Sequence, residues 1–160
     1  MINSVRLASS DEFPDYYYRV HLEELNNRRH LRFSRQVHKH HTLLSHLTFV
    51  DEIIGRGDEY YLVLASNGIL VGTWTLTFSQ GAAKCNILIY SSFSGQGFGS
   101  AVWMHAIERT KCLGMAKFEA GTHLGNFPMR AIFEKSGMTI ETFRESTSLL
   151  HVFFSLNLTN

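Results

Sequence analysis

Two hydrophobic periods alternate along this chain, and the switches between them mark out its elements. Val5 and Leu7 alternate with polar neighbours in "SVRLAS", the pattern of a short strand. Asp11 and Pro14 then open a helix through "DYYYRVHLEEL", and "NNRRHLRFSRQVHKHH" breaks the period. Thr42 caps a second helix in which Leu43, Leu44, Leu47, Val50, Ile53 and Ile54 recur at helical spacing. That stripe predicts a face turned to a sheet, ended by Gly55 and Gly57. "EYYLVLA", "ILVGTWTLTFS" and "CNILIY" follow as three β-rich runs. Turns at Ser66-Asn67-Gly68 and Gln80-Gly81 join them, which reads as an antiparallel meander. "SAVWMHAIERTKCLG" is helical in composition and stops at Gly114, and "AKFEAGTH" is a further strand. A short helix starts at Pro128, runs through Phe133 and ends at Gly137; "MTIETFRES" and "LLHVFFSLNL" close the chain as strands. The order predicts an α/β (α+β) fold, a mixed sheet with helices on it.

Composition narrows the function classes. At 160 residues and 44% hydrophobic content, the chain suits one packed domain over 1–160 and is short for two. Fifteen Lys and Arg against fourteen Asp and Glu leave a net charge of +1, so the totals do not suggest a polyanion-binding protein. Cys85 and Cys112 follow no metal or redox spacing. They read as buried small hydrophobes in a reduced, cytoplasmic protein, with no membrane-spanning run.

The densest chemistry lies in "YSSFSGQGFGSAVW", where Gly95, Gly97 and Gly99 fall between a strand and a helix. A dinucleotide-binding loop needs G-x-G-x-x-G after a βαβ strand, and a P-loop needs Gly-Lys-Ser/Thr; the chain has neither. What survives is physical. Bare backbone amides at a helix N-terminus can bind phosphate without a lysine, and glycine leaves room for its approach. The plain alternative is a tight strand-to-helix turn.

"NILIYSSFSGQGFGSAVW" resembles the acetyl-CoA pyrophosphate loop of the GCN5-related N-acetyltransferases, whose pattern is Arg/Gln-x-x-Gly-x-Gly/Ala. Gly97 and Gly99 take the two glycine positions, and Ser94 departs from the usual Arg or Gln. "GNFPMRAIFEKSGM" supplies a second motif in the expected order, with Phe-Glu-Lys-x-Gly-Met where the family often has Tyr-Glu-Lys-x-Gly-Phe. The likeness covers residues 59–138 directly. It implies a mostly antiparallel sheet of about seven strands with about four helices on both faces, and two central strands, "NILIY" and "AKFEAGTH", that splay to admit pantetheine. It further implies that Leu88, Ile89 and Tyr90 hold pantetheine through their backbone. Gly95, Gln96, Gly97, Phe98, Gly99 and Ser100 would hold the pyrophosphate, and Lys135 would meet the 3′-phosphate or simply be exposed. Asn126 would bond near the thiol or cap the helix of Pro128. Phe133 stands where many relatives carry a tyrosine acid, and phenylalanine has no proton to give. The titratable residues on the splayed strands are then Glu119 or His123 as base, which share strand parity, and Tyr90 as acid. Loss of turnover, leaving an acyl-CoA-binding module, is the alternative that Phe133 and Ser94 raise.

Residues 26–41 hold Arg28, Arg29, Arg32, Arg35 and Lys39 with His30, His38, His40 and His41, and no acidic residue. In the family this segment walls the acceptor site. Arg28, Arg32, Arg35, His40 and His41 are therefore expected to bind an acidic small-molecule amine, such as a nucleotide-linked amino sugar. The loops also look like the branch with ribosomal-protein N-terminal acetyltransferases, so a protein N-terminus is the second acceptor reading. No metal, nucleic acid or membrane partner is expected; a homodimer is compatible with the sequence.

Overall fold

The computed structural model describes residues 2–31, 40–146 and 149–159. Among them, β1 (Ile2–Leu7) leads to α1 (Asp15–Leu25) and α2 (Leu43–Gly55). The meander β2 (Glu59–Ala65), β3 (Leu70–Ser79) and β4 (Ala82–Ile89) comes next. After it, α3 (Phe98–Cys112), β5 (Lys117–His123) and α4 (Phe127–Lys135) alternate before β6 (Thr139–Ser146) and β7 (Leu149–Asn157). One seven-stranded sheet runs β1-β2-β3-β4-β5-β7-β6, antiparallel everywhere except β4 beside β5.

Alternation along the strands builds two cores. On one face Val63, Trp74, Ala83, Cys85, Phe118 and Phe154 meet α3 and α4 through Val102, Trp103, Ala106 and Phe133. On the other, Tyr60, Leu62, Leu70 and Tyr90 meet Tyr17 of α1 and Val50 and Ile53 of α2. The helices thus lie on both faces, as expected.

Thr42 does cap α2: its Oγ1 accepts from the Ser45 amide at 3.1 Å, and Ser45 Oγ accepts from the Thr42 amide at 2.9 Å. The buried face differs from the hydrophobic stripe. Leu43 and Leu44 are 48% and 75% exposed, whereas His46 is buried with Val50 and Ile53. Tyr17 makes the difference, since its hydroxyl lies 2.7 Å from His46 Nε2 and satisfies the imidazole inside. Neither cysteine forms a disulfide; Cys85 is buried, but Cys112 is exposed, contrary to the expectation for it.

The decisive feature for function is where the sheet comes apart. β4 pairs with β5 only at Ala82↔Lys117, Ala83↔Phe118 and Lys84↔Glu119, and beyond that point the strands separate. β5 spends its other edge on β7 for its whole length, from Lys117↔Asn157 to His123↔His151. β4 stays with β3 through Gly72↔Ile89. Gly72 makes that approach sterically feasible, because a Cβ there would run into the Leu88 carbonyl oxygen.

Candidate active site in the split between the central strands

Three consecutive residues at the exit of β4 are held by α1 and the turn after it. The Ile89 carbonyl accepts from His30 Nε2 at 2.7 Å, the Tyr90 hydroxyl lies 2.7 Å from His21 Nδ1, and the Ser91 amide donates to Glu24 Oε2 at 3.1 Å. These contacts pull β4 toward α1, away from β5.

The backbone of this exit corrects one expectation. Tyr90 N–H donates to the Val71 carbonyl on β3 at 2.9 Å, and the Leu88 carbonyl is pressed against Gly72. Polar groups alternate sides along a strand, so the Ile89 carbonyl faces the gap, the Leu88 carbonyl faces β3, and the Tyr90 carbonyl turns away to accept from the Phe93 amide at 2.8 Å. Of the three residues expected to hold pantetheine by backbone, Ile89 alone presents that edge.

At the mouth of the gap the chain passes Ser94, Gly95 (φ 74°) and Gly97 (φ 86°) before entering α3. Both glycines sit in the left-handed region, and nothing lies within 4 Å of where a Cβ would be. Gly97 has no side chain with which to cap α3, and the first helical bond runs from Ala101 N–H to the Gly97 carbonyl at 3.2 Å. The amides of Phe98, Gly99 and Ser100 therefore precede the first helical donor, beside open space at Gly95 and Gly97, and are groups that could hold a pyrophosphate. Gly99 has another reason to be glycine: a Cβ would stand 3.2 Å from Ile132 Cδ1 of α4. Gln96 folds back, donating to the Ser92 carbonyl at 3.3 Å. Lys135 is exposed and lines a 100 Å³ cavity between α3 and α4 with Ser100, Met104 and Ile132.

Asn126 precedes α4 but does not cap it by its side chain; Nδ2 instead donates to Thr122 Oγ1 of β5 at 2.9 Å. Phe133 is almost wholly enclosed, its ring centroid 4.8 Å from Trp103 and 5.1 Å from Phe154. Its place is in the core, and it offers the cofactor little surface.

The acid and base candidates are not brought together. Glu119 and His123 do point to one face of β5, but four residues of strand set their backbones about 13 Å apart. Glu119 lies at the closed end of the split, 3.3 Å from Lys117 Nζ. His123 Nδ1 accepts from the Gly125 amide at 2.9 Å, which puts the neutral ring's proton on Nε2 and makes it a donor rather than a base. Tyr90 is 1% exposed, and burial, with Tyr60, Glu24 and Tyr16 nearby, pushes its phenol above the ordinary range. Its hydroxyl is committed to His21.

That bond begins a buried chain the sequence did not disclose. Tyr90 meets His21, His21 Nε2 lies 3.5 Å from Tyr60 Oη, Tyr60 Oη lies 2.6 Å from Tyr17 Oη, and Tyr17 reaches His46. All five side chains are buried. Burial, then the neighbouring His46 and His41, holds His21 well below the usual imidazole range; burial and His41 lower His46 to about 4. The only sequence signal was a run of tyrosines and one histidine at helical spacing in "DYYYRVH", which looks like ordinary packing.

In the segment expected to wall the acceptor site, Arg28 and His40 are exposed and His41 is half-buried. Asn26 clamps the base of this segment, donating to the His41 carbonyl and accepting its amide, each at 2.9 Å. Arg32 and Arg35 lie outside the described residues. Over the open face of β5, β6 and β7 lies a 410 Å³ cleft lined by Lys84, Glu119, Glu141, Thr142, Arg144 and Phe153. Lys117 bonds to both Glu119 and Glu141, while Lys84 and Arg144 stand over the Phe153 ring, 5.5 and 5.1 Å from its centroid. Gly121 makes room for that ring, since a Cβ would be 2.7 Å from it.

A sheet opened between two parallel strands, with free helix amides at the mouth, defines the acetyltransferase class of α/β fold. The structure of spermidine N-acetyltransferase from Vibrio cholerae with CoA and spermine superposes with a TM-score of 0.81 over 98% of this chain and 95% of that one, at 14% identity. Ribosomal-protein-alanine N-acetyltransferase from Brucella melitensis gives 0.79 over 98% and 99%, also at 14%. In sequence, the uncharacterized N-acetyltransferase YvbK of Bacillus subtilis (strain 168) is 32% identical over 104 residues, 64% of this chain and 66% of that protein, just under two thirds of its length. The model of the acetyltransferase (GNAT) family matches residues 10–138, and the chain belongs to that family. No helix among the described residues is long and apolar enough to cross a membrane.

Proposed function

We propose that this protein transfers an acetyl group from acetyl-CoA to the primary amine of a small acidic acceptor. The observation that carries the reading is the split after three β4–β5 pairs, with the unbonded amides of Phe98, Gly99 and Ser100 at its open end. Acetyl-CoA supplies an activated thioester. The chain's part is to bind the pyrophosphate at 95–100, to pair with pantetheine through Ile89, and to orient the amine.

An alkylamine with a pKa near ~10.4 is almost all protonated at neutral pH, so a proton must leave before attack. The thiol leaving group, near ~8.5, needs less help, and the absence of a hydroxyl at Phe133 is compatible with solvent supplying that proton.

Binding is tested by thermal unfolding with acetyl-CoA, CoA, NAD and ATP. Acetyl-CoA at about 100 times its dissociation constant adds about 2.7 kcal/mol, and CoA behaves likewise. Gly97→Glu, which puts a carboxylate and a strained φ in the cradle, abolishes the gain. A gain with NAD or ATP equal to that with acetyl-CoA would refute the CoA assignment.

For the acceptor, the open-face cleft favours an acid. Its two carboxylates, Glu119 and Glu141, face three cations, Lys117, Lys84 and Arg144, which leaves one positive charge in excess, and Arg28 adds a further exposed cation on the expected wall. A nucleotide-linked amino sugar fits that balance better than a polyamine. Thiol release with such a sugar, spermidine and an alanine-terminated peptide ranks them. Lys84→Glu with Arg144→Glu lowers kcat/KM for the sugar about tenfold or more and spares the neutral peptide. Equal losses on both would remove the electrostatic argument.

A further inference from the structure

We infer that His30 is the general base of the transfer, a role that rests on the acetyl-transfer reading above. His30 comes from the turn after α1, where its own amide donates to Asn27 Oδ1 at 3.1 Å and Leu31 N–H returns to the Asn27 carbonyl at 3.0 Å. Leu31 is buried, so the turn is anchored on both sides of the imidazole. The ring then reaches 59 residues along the chain to the one backbone carbonyl at the β4 exit that faces the split.

A carbonyl can only accept, so in the neutral ring His30 Nε2 carries the proton and Nδ1 holds the lone pair. An imidazole fixed by a carbonyl at one nitrogen and basic at the other is the arrangement a proton acceptor requires. The Ile89 oxygen has two lone pairs, which allows it to hold His30 and a pantetheine N–H together. His30 also approaches from the face of α1 and α2, opposite the α3 side, where the phosphate cradle lies. The amine must enter from the side the cofactor leaves open, and the imidazole stands at that margin.

The competing groups are accounted for. Glu119 is held by Lys117 at the closed end, His123 has its Nδ1 occupied by Gly125, and Tyr90 and His21 are bound to each other. Glu24, on α1, is taken by Ser91, and Arg28 and Arg29 precede His30 in the chain. In the step itself, the ammonium first loses one proton to water, and the neutral nitrogen then forms the new C–N bond and gives its second proton to His30 Nδ1. The C–S bond breaks, the sulfur leaves as thiolate, and solvent protonates it. Imidazolium His30 keeps its Nε2–H on Ile89 and releases the gained proton to water.

The test compares the whole protein with His30→Gln and His30→Ala, using the amino sugar, spermidine and the alanine-terminated peptide as amines. Glutamine retains an N–H for Ile89 but has no basic nitrogen. Both variants are expected to keep the thermal shift with acetyl-CoA. Their kcat falls about 10²- to 10⁴-fold near neutrality. The rate of His30→Gln keeps climbing at alkaline pH, where the parent levels off, and added imidazole partly restores His30→Ala. His30→Gln within about threefold of the parent in kcat would overturn the proposal. So would loss of the acetyl-CoA shift in both variants, which would make His30 a cofactor ligand. A parent that binds acetyl-CoA yet acetylates none of the amines would sink the transfer reading, and the base with it, while a parent with no acetyl-CoA shift would fail at the earlier step.

Discussion

Acidification from about pH 7 to about pH 4 weakens this fold by an amount of order 3 kcal/mol through His46 alone. The sign follows from the buried chain. His46 is lowered to about 4 in the folded protein against 6.5 for the free group, so in that window the unfolded chain binds a proton that the native state refuses. Stability therefore rises with pH between those values and is flat above them. His21, lowered further and by the same cause, adds to the loss. Urea unfolding at a series of pH values reads this directly, and His46→Gln should flatten the slope while lowering stability at neutral pH by breaking the bond to Tyr17. An unchanged slope in that variant would mean that His46 does not resist protonation in the folded state.

A second large effect concerns the buried carboxylate that ties α3 to β2. Glu59, 3% exposed, receives Arg109 through two bonds at 2.9 and 2.6 Å, the Tyr61 hydroxyl at 2.7 Å, and Arg6 at 3.3 Å. Burial alone would raise its pKa, but the bonds from Arg109 and Tyr61 and the two positive charges outweigh it and hold the carboxyl below its ordinary range. The partners are unequally placed: Glu59 is enclosed, whereas the Arg109 side chain is 35% exposed. Arg109→Met leaves an enclosed charge with only the more exposed Arg6 beside it and costs about 3–5 kcal/mol. Glu59→Gln frees arginines that water can reach and costs less, about 1–3 kcal/mol. Chemical denaturation of the two variants tests the asymmetry, and equal costs would contradict it. Because Glu59 is depressed, its contribution is present above about pH 4.5 and fades only below that, after the histidine loss has begun.

These two effects concern stability, and neither touches the split where transfer is proposed. The two are nonetheless connected through α1. His21, which refuses a proton in the core, is also the group that holds Tyr90 at the β4 exit, one residue from the carbonyl that His30 meets. Protonating that chain would loosen the strand end that carries Ile89, so loss of activity in acid should accompany the loss of stability.

Much of this was legible in the chain itself. Local signals with their own period or cap gave the element order: the α1 segment over 15–25, the Thr42 cap, the turn at Gln80-Gly81 and the meander all stand where the pattern put them. Gly95 and Gly97 were readable as a strand-to-helix turn of bare backbone because positive φ selects glycine whatever surrounds it. Chemistry made by pairing distant segments was not readable. Nothing local tells that Leu44 faces water while His46 faces Tyr17, because a hydrophobic stripe counts apolar side chains and cannot foresee a polar one satisfied inside. Nor could parity on β5 tell that Glu119 is spent on Lys117 or that Gly125 claims His123 Nδ1. In "NNRRH", His30 is one member of a basic run; three-dimensional closure alone sets it against Ile89, 59 residues on. Backbone conformation and amphipathic period are properties of neighbours in sequence, and so the sequence determined the elements, the split sheet's family and the left-handed glycines before α3. Proton position, burial and strand separation depend on which remote groups meet, and only the tertiary structure decided those.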